Sequence, residues 1–223
     1  MLAVSAAAQE PAAVPPPAPD QQLSMQLMKY DQAKVMGDLA GAVKGYEDAL
    51  KQVRNTPSLK NREEEILQRL SGAYIAAQRF PEAVNISRRI LALHEADCKP
   101  GAEWVERCAD AQYGLGLALM HSGDFAGAAE LLTASTANFG KVNMQGDESF
   151  RMTKLKQRGD AESMLAAALF RAGQKDKSLV MFRKAIATLK LVSGNEKLDP
   201  GIRGSARKSQ SDAEGSLKLL EGK

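Results

Sequence analysis

The sequence predicts an all-α chain in which about four antiparallel helix pairs stack as an α-solenoid and a last helix caps the end. Three features carry this expectation: a helix-favouring composition, a small–large–small pattern that recurs down the chain, and turn residues confined to gaps between apolar-periodic segments. Of 223 residues, 44% are hydrophobic and 26% charged, an ordinary globular balance, but only 5% are aromatic. Alanine is abundant and costs no side-chain entropy in a helix, whereas runs of strand-favouring β-branched residues are scarce.

Taken in order, residues 1–8 read as the remnant of a signal peptide. Ala6-Ala7-Ala8 before Gln9-Glu10 has the small-residue form of a cleavage site. The basic region and longer apolar core of a complete leader are missing. Met1 is therefore expected to lie inside a longer leader, with the mature chain starting near Gln9; an Ala-rich disordered tail is the alternative. Pro11, Pro15, Pro16, Pro17 and Pro19 make residues 9–20 a Pro-rich disordered linker. Residues 21–223 then form a helical-repeat domain, with pairs near 23–56, 64–97, 109–140 and 159–192 and a capping helix at 199–221.

Turn residues separate the helices. Met36-Gly37-Asp38-Leu39 and Ser122-Gly123-Asp124-Phe125 share one form, and Ala172-Gly173-Gln174-Lys175 is close to it. Glycine suits the left-handed position that ends one helix, and the polar residue after it can open the next. Pro57, Pro81, Pro100 and Pro200 also fall between periodic segments, where proline fits a first helical turn and cannot continue a previous helix.

Alignment on these turns exposes the repeat. A small residue recurs five positions after the turn glycine or its equivalent: Ala42, Ala83, Ala128 and Ser178. Tyr46, Ser87, Leu132 and Phe182 follow four later, then Ala49, Ile90, Ser135 and Ala185. Upstream, Ser71, Gly116 and Ala166 are small, each preceded by Leu and followed three on by Tyr74, Leu119 or Leu169. Positions three and four apart share a helix face. Small residues where two helices cross let the backbones approach closely, and larger apolar side chains fill the space around that contact. One such pair cannot bury its apolar face alone, so neighbours stack.

The small–large–small spacing, the Gly-Asp turn and the Leu115-Gly116 step resemble the tetratricopeptide repeat over roughly residues 22–192. Ala109 to Gly140 match best, and Gly37 to Leu50 match the turn and second helix. The first pair departs, with Lys29-Tyr30 in place of Leu-small, and the second has Gln78-Arg79 at the turn. Markers 41, 45 and 50 residues apart exceed the family's usual spacing. They predict lengthened helices or long inter-repeat turns, similar to kinesin-light-chain-like repeats. Asp199-Pro200 then opens the capping helix, whose stripe of Ile202, Ala206, Ala213, Leu217 and Leu220 suits packing on a terminal repeat.

The resemblance implies a concave wall built from first helices: Met28, Lys34, Arg69, Ile75, Tyr113, Leu117, Met120, His121, Met164, Phe170 and Arg171. Such a mixed apolar and basic wall suits an amphipathic helix or extended peptide, unless the capping helix fills it. The tail-clamping set used by heat-shock-binding relatives is not carried over, because Leu27, Asp31 and Arg69 stand at its positions.

Recognisable catalytic or cofactor signatures are absent: no H-E-x-x-H, G-x-S-x-G or Walker-type loop occurs. Gly114-Leu115-Gly116 reads as helix packing, and the Asn85-Ile86-Ser87 sequon as chance. Cys98 and Cys108 are expected to form a disulfide; free buried thiols, or a zinc or nucleophilic site with His94 one turn before Cys98, are the alternatives. A disulfide and an exported chain support each other. From Lys141 onward 17 Lys/Arg stand against 10 Asp/Glu, a net +7, while the first 140 residues carry −4. A solvated basic face explains this; a patch for an acidic partner is the sharper reading. The expectation is a non-enzymatic protein-interaction module or assembly scaffold in the bacterial envelope, periplasmic or secreted. Its partner would be a protein or peptide, without cofactor, metal, nucleic acid or membrane span. A cytosolic peptide-responsive or chaperone-like repeat protein is the runner-up, and an enzyme using Cys98 and His94 the remote third.

Overall fold

A computed structural model of the chain describes residues 18–222. Residues 1–8, expected to be a signal-peptide remnant, and most of the proline-rich segment lie outside the described residues. No strand occurs among them, and they divide into two compact units between Glu63 and Glu64.

The first unit holds α1 (Pro19–Val35), α2 (Leu39–Asn55) and a 3-10 turn, Pro57–Arg62. Helix α1 begins inside the segment assigned to the linker. Pro19 supplies a preset first-turn φ, and Asp20 places a carboxylate at the positive helix end. Asp20 also receives Arg62 Nη1 at 2.5 Å. This pair departs from the others in a compensated way. Tyr30 stands where the later repeats are small, and Gly45 supplies the missing space on the opposite helix. A Cβ at Gly45 would overlap the Tyr30 ring. Tyr30 meets the fully buried Tyr46 edge-on, with ring centroids 5.7 Å apart.

The second unit contains α3 from Glu64 onward (Glu63–Ala76 in full), α4 (Phe80–Leu93), α5 (Val105–Ser122), α6 (Phe125–Phe139), α7 (Glu148–Arg171), α8 (Lys175–Ser193) and α9 (Pro200–Glu221). From α4 to α9 each helix packs on the next. The repeat positions are the core: Ala83, Ala128 and Ser178 are fully buried, as are Leu132, Ala166 and Ala185. A Cβ at Gly116 would come within 2.7 Å of Leu132 Cγ, so this glycine sets how closely α5 and α6 approach. Buried hydroxyls are satisfied across the crossings. Ser178 Oγ donates to the Ala166 carbonyl at 2.7 Å, Ser135 Oγ to the Ala109 carbonyl at 2.8 Å, and Ser71 and Ser87 share a 2.8 Å hydrogen bond.

The extra residues between markers are taken up by the segment from His94 to Trp104, the turn after α6 and the 24-residue α7. Long α7 is tied to α8 by a buried carboxylate. Glu162 has no exposed surface, yet it receives Arg158 Nε at 3.0 Å, Lys184 Nζ at 3.1 Å and Thr188 Oγ1 at 2.7 Å. Paired this way, the charge retains the contacts that burial would otherwise remove. Asp199 caps α9 by accepting from Gly201 N and Ile202 N. Ala213, Leu217 and Leu220 then pack with Ala166 and Phe182, while Ala206 and Ile202 pack with Val192, Leu198, Met152 and Leu155.

All four helix–helix turns use the same two backbone hydrogen bonds. In the third pair these run from Gly123 N to Met120 O and from Asp124 N to Leu119 O. Gly37, Gly123 and Gly173 have φ of 87°, 87° and 79°; in the second pair Gln78 is forced to φ 58° to make the same bonds. A side chain in the left-handed region costs roughly 1–2 kcal/mol, partly offset by the greater freedom glycine has when unfolded. Gln78→Gly should therefore raise the stability of the second unit by about 0.5–1 kcal/mol. Denaturant midpoints at unchanged m-value check this; an unchanged or lower midpoint would show that the turn carries no such strain.

Candidate functional site

The sequence-mapped wall divides by what the neighbouring repeat lays over it. In the first unit Met28 is largely exposed, and Lys34 lies 4.0 Å from Asp31. In the second unit Arg69 is held by Glu65 at 2.8 Å. Tyr113 packs against the Phe139, Val142 and Ala161 cluster, and burial pushes its hydroxyl pKa up to about 12. It is an inter-repeat wedge rather than an open wall residue. Ile75, Leu117, Met120 and Met164 are half-buried.

His121 and Arg171 occupy one repeated step. Each lies seven residues before its marker and stacks on the aromatic three before the preceding marker. His121 lies against Phe80 with ring centroids 5.8 Å apart, and the Arg171 guanidinium sits 4.3 Å above the Phe125 ring. These contacts join successive repeats at their turn ends. His121 and Arg171 remain exposed, as does Phe170 at 43%.

Two recesses were not assigned from the sequence. An apolar one of about 840 Å³ runs between α6 and α8, walled by Ala126, Ala129, Thr133, Val180 and Met181 over Leu165 and Leu169. The outward Val180 on α8 was its available signal. The other is a polar cavity of about 380 Å³. Glu64, Gln68 and Ser71 of α3 line it with Ser87, Ile90 and His94 at α4, Arg107, Asp110, Ala111 and Gly114 of α5, and Gln157 of α7.

His94 and Cys98 do not share a helix as expected. Helix α4 stops at Leu93, His94 is its C-terminal cap, and Cys98 ends the 3-10 turn Ala96–Cys98. The His94 ring nitrogens meet carboxylates instead: Nδ1 lies 2.9 Å from Asp97 Oδ2 and Nε2 lies 3.0 Å from Glu64 Oε1. The second contact lacks the alignment of a hydrogen bond and acts as an ion pair. Cys98 and Cys108 stand at disulfide distance with Cα atoms 5.1 Å apart, inside the range a bridge requires.

Burial acts to lower the His94 pKa, but the Asp97 hydrogen bond and the Glu64 contact outweigh it and leave the value above the usual 6.5. The folded chain therefore binds this proton more tightly than the unfolded chain. The stabilisation is complete below the unfolded value and is lost as pH rises through the raised folded value. The second unit should be more resistant to denaturant at about pH 6 than at about pH 8.5, and His94→Gln should shrink that difference. An identical pH dependence in the variant would remove His94 as its source.

No protein-family model and no curated protein matches the sequence. Solved structures match its fold. A single-substitution variant of the nearly identical TPR-like repeats of a Podosopora anserina "putative kinesin light chain" is 18% identical over 90% of both chains, with a TM-score of 0.59. The form without that substitution is likewise 18% identical over 90% of both chains, with a TM-score of 0.58. BtubC (BKLC) from P. vanneervenii is 16% identical over 91% of this chain and 76% of its own, with a TM-score of 0.60. At such identities the likeness shows architecture alone: the chain has the fold of tetratricopeptide-like helical-repeat proteins.

Proposed function

We propose that the chain is a non-enzymatic interaction module or assembly scaffold of the bacterial cell envelope, seating a helix or an extended peptide of another protein on the first-helix wall of its second unit. The observation that carries this reading is Phe170. It stays 43% exposed at the end of α7, while α9 packs its stripe on α7 and α8. An aromatic side chain left in water beside half-buried aliphatic ones is the usual form of an interface anchor. Leu117, Met120 and Met164 supply the adaptable apolar surface. The net +7 from Lys141 onward favours acidic groups on that partner. A Cys98–Cys108 bridge supports an oxidising compartment, since such bonds persist outside the cytosol. No helix among the described residues is long and apolar enough to cross a membrane.

Phe170→Ala should weaken binding of the partner recovered on the wild-type chain by more than tenfold, about 1.4 kcal/mol or more, without lowering the unfolding midpoint. A lower midpoint with normal binding by the folded fraction would make Phe170 part of the core and move the partner site elsewhere. The envelope assignment has its own test on protein from the native host. Cys98 and Cys108 should resist a thiol label under unfolding, non-reducing conditions; labelling of both would withdraw that support.

A further inference from the structure

The two halves of the Cys98–Cys108 pair differ in what surrounds them. Cys108 is fully buried in the first turn of α5, while Cys98, at the end of its 3-10 turn, keeps part of its surface open. A third recess, of about 360 Å³, lies against Cys98. It is walled by Arg88, Leu91 and Ala92 of α4, by Glu95 just after that helix and by Gln112 of α5; Cys108 does not line it. Arg88 and Glu95 put one charge of each sign there, so the recess carries no net repulsion for an anion. The buried sulfur has a donor aimed at it. Asn138 Nδ2 of α6 donates to Cys108 Sγ at 3.4 Å and to Gln112 Oε1 at 3.0 Å, and Lys141 Nζ donates to Asn138 Oδ1 at 3.1 Å. The ammonium polarises the amide towards the sulfur. A bridged sulfur is a weak acceptor and gains little from such a donor; a thiolate gains a charge-assisted hydrogen bond. The positive end of α5 acts in the same direction.

We propose that the pair is a thiol-exchange site, entered from this recess. An incoming thiolate attacks Cys98 Sγ. The new bond joins the incoming sulfur to Cys98, the Cys98–Cys108 bond breaks, and its electron pair leaves on Cys108 Sγ as a thiolate held by Asn138. The incoming sulfur is oxidised and Cys108 is reduced, so the thiol itself is the reductant. Cys108 then takes a proton from water, or attacks Cys98 Sγ again and expels the thiol. Access and the stability of the leaving thiolate decide which sulfur is attacked, and both select Cys98. The thiol is either a free small thiol or a cysteine of a partner. The proposal rests on the bridge assigned above, and its second source also on the scaffold reading.

The test uses the whole chain, first checked for the bridge by thiol labelling under unfolding, non-reducing conditions. It is then treated in the folded state with reduced glutathione, or with an amphipathic helical peptide bearing one cysteine. Exchange is quenched with acid and mapped by mass spectrometry. The adduct should sit on Cys98 in preference to Cys108 by about tenfold or more. Asn138→Ala should slow adduct formation by about threefold or more, because the departing charge loses its donor. Lys141→Met should slow it in the same direction by less. If Asn138 only packs, its loss loosens the surroundings of the bridge and speeds the attack instead. Faster capture of the helical peptide at equal thiolate concentration assigns the thiol to a partner chain, and equal or slower capture assigns it to a small thiol. An adduct shared equally or found mainly on Cys108, or a rate that Asn138→Ala leaves unchanged or raises, would overturn the proposal and leave the bridge standing. Labelling of both cysteines before any thiol is added would remove the bridge itself and the proposal with it. Phe170→Ala should leave the exchange rate with glutathione unchanged, so the partner wall is tested separately.

Discussion

The close crossing of two helices within each pair is the contact on which the rest of this structure depends. Backbones that approach so near leave room for one small side chain at the crossing and for little on the facing helix. Gly116 lies against Leu132 in this way, and Ser178 opposes Ala166. The constraint falls on the sum of two side chains rather than on either one. That is why the first pair can invert it, with Tyr30 large and Gly45 without a side chain. It also explains the buried hydroxyls. A serine fits the same space as alanine, and the facing carbonyl is near enough to accept its proton, so Ser135 and Ser178 bury a polar group without leaving it unpaired.

Fixing the crossings leaves the lengths between them free. The intervals between markers grow down the chain because nothing at the crossing restricts the far ends of the helices. Helix α7 shows what lengthening then requires. Its early turns extend beyond the crossing and need new partners, which Met152 and Leu155 find beneath Leu198 and Val192. Asn195 Nδ2 adds a 2.7 Å hydrogen bond to Glu148. Midway, Glu162 enters the interface with α8 fully buried and is tolerated because two cations and a hydroxyl converge on it. Removing one partner would leave a desolvated charge, so the cluster acts as a register lock between these two helices.

The sequence made the crossings legible because they depend on spacing along one helix, which a single chain displays. Ala83, Ala128 and Ser178, the turn glycines and the Asp199-Pro200 start are of this kind. Features that depend on a second helix were hidden. Gln78 takes the left-handed turn position although its side chain argues against it, since the two hydrogen bonds of the turn demand that geometry. Gly45 is readable as a packing glycine only once Tyr30 is known to lie on it. The candidate wall failed to separate for the same reason. Periodicity places Tyr113, His121 and Arg171 on an outward face, but it does not reveal that Tyr113 packs into the Phe139 cluster, or that His121 and Arg171, while exposed, stack on Phe80 and Phe125 of the adjoining helices. Phe170 escapes because α9 packs a smaller stripe elsewhere on the last pair.

Small residues that close one interface also open another. At the cavity beside α5, Ala111 and Gly114 face outward from the crossing, where the same economy of side chain leaves unfilled volume. The segment after α4 determines how that volume is bounded. Asp97 holds His94 Nδ1, and the next residue, Cys98, stands at disulfide distance from Cys108 on α5. A bridge there closes a loop of ten-odd residues, and the chain-entropy model gives it roughly 2–3 kcal/mol. Its local effect is more specific than its stability. It pins the His94–Asp97 pair to the helix that carries Asp110 only two residues beyond Cys108, so the imidazole is kept at the cavity wall with both nitrogens committed to carboxylates.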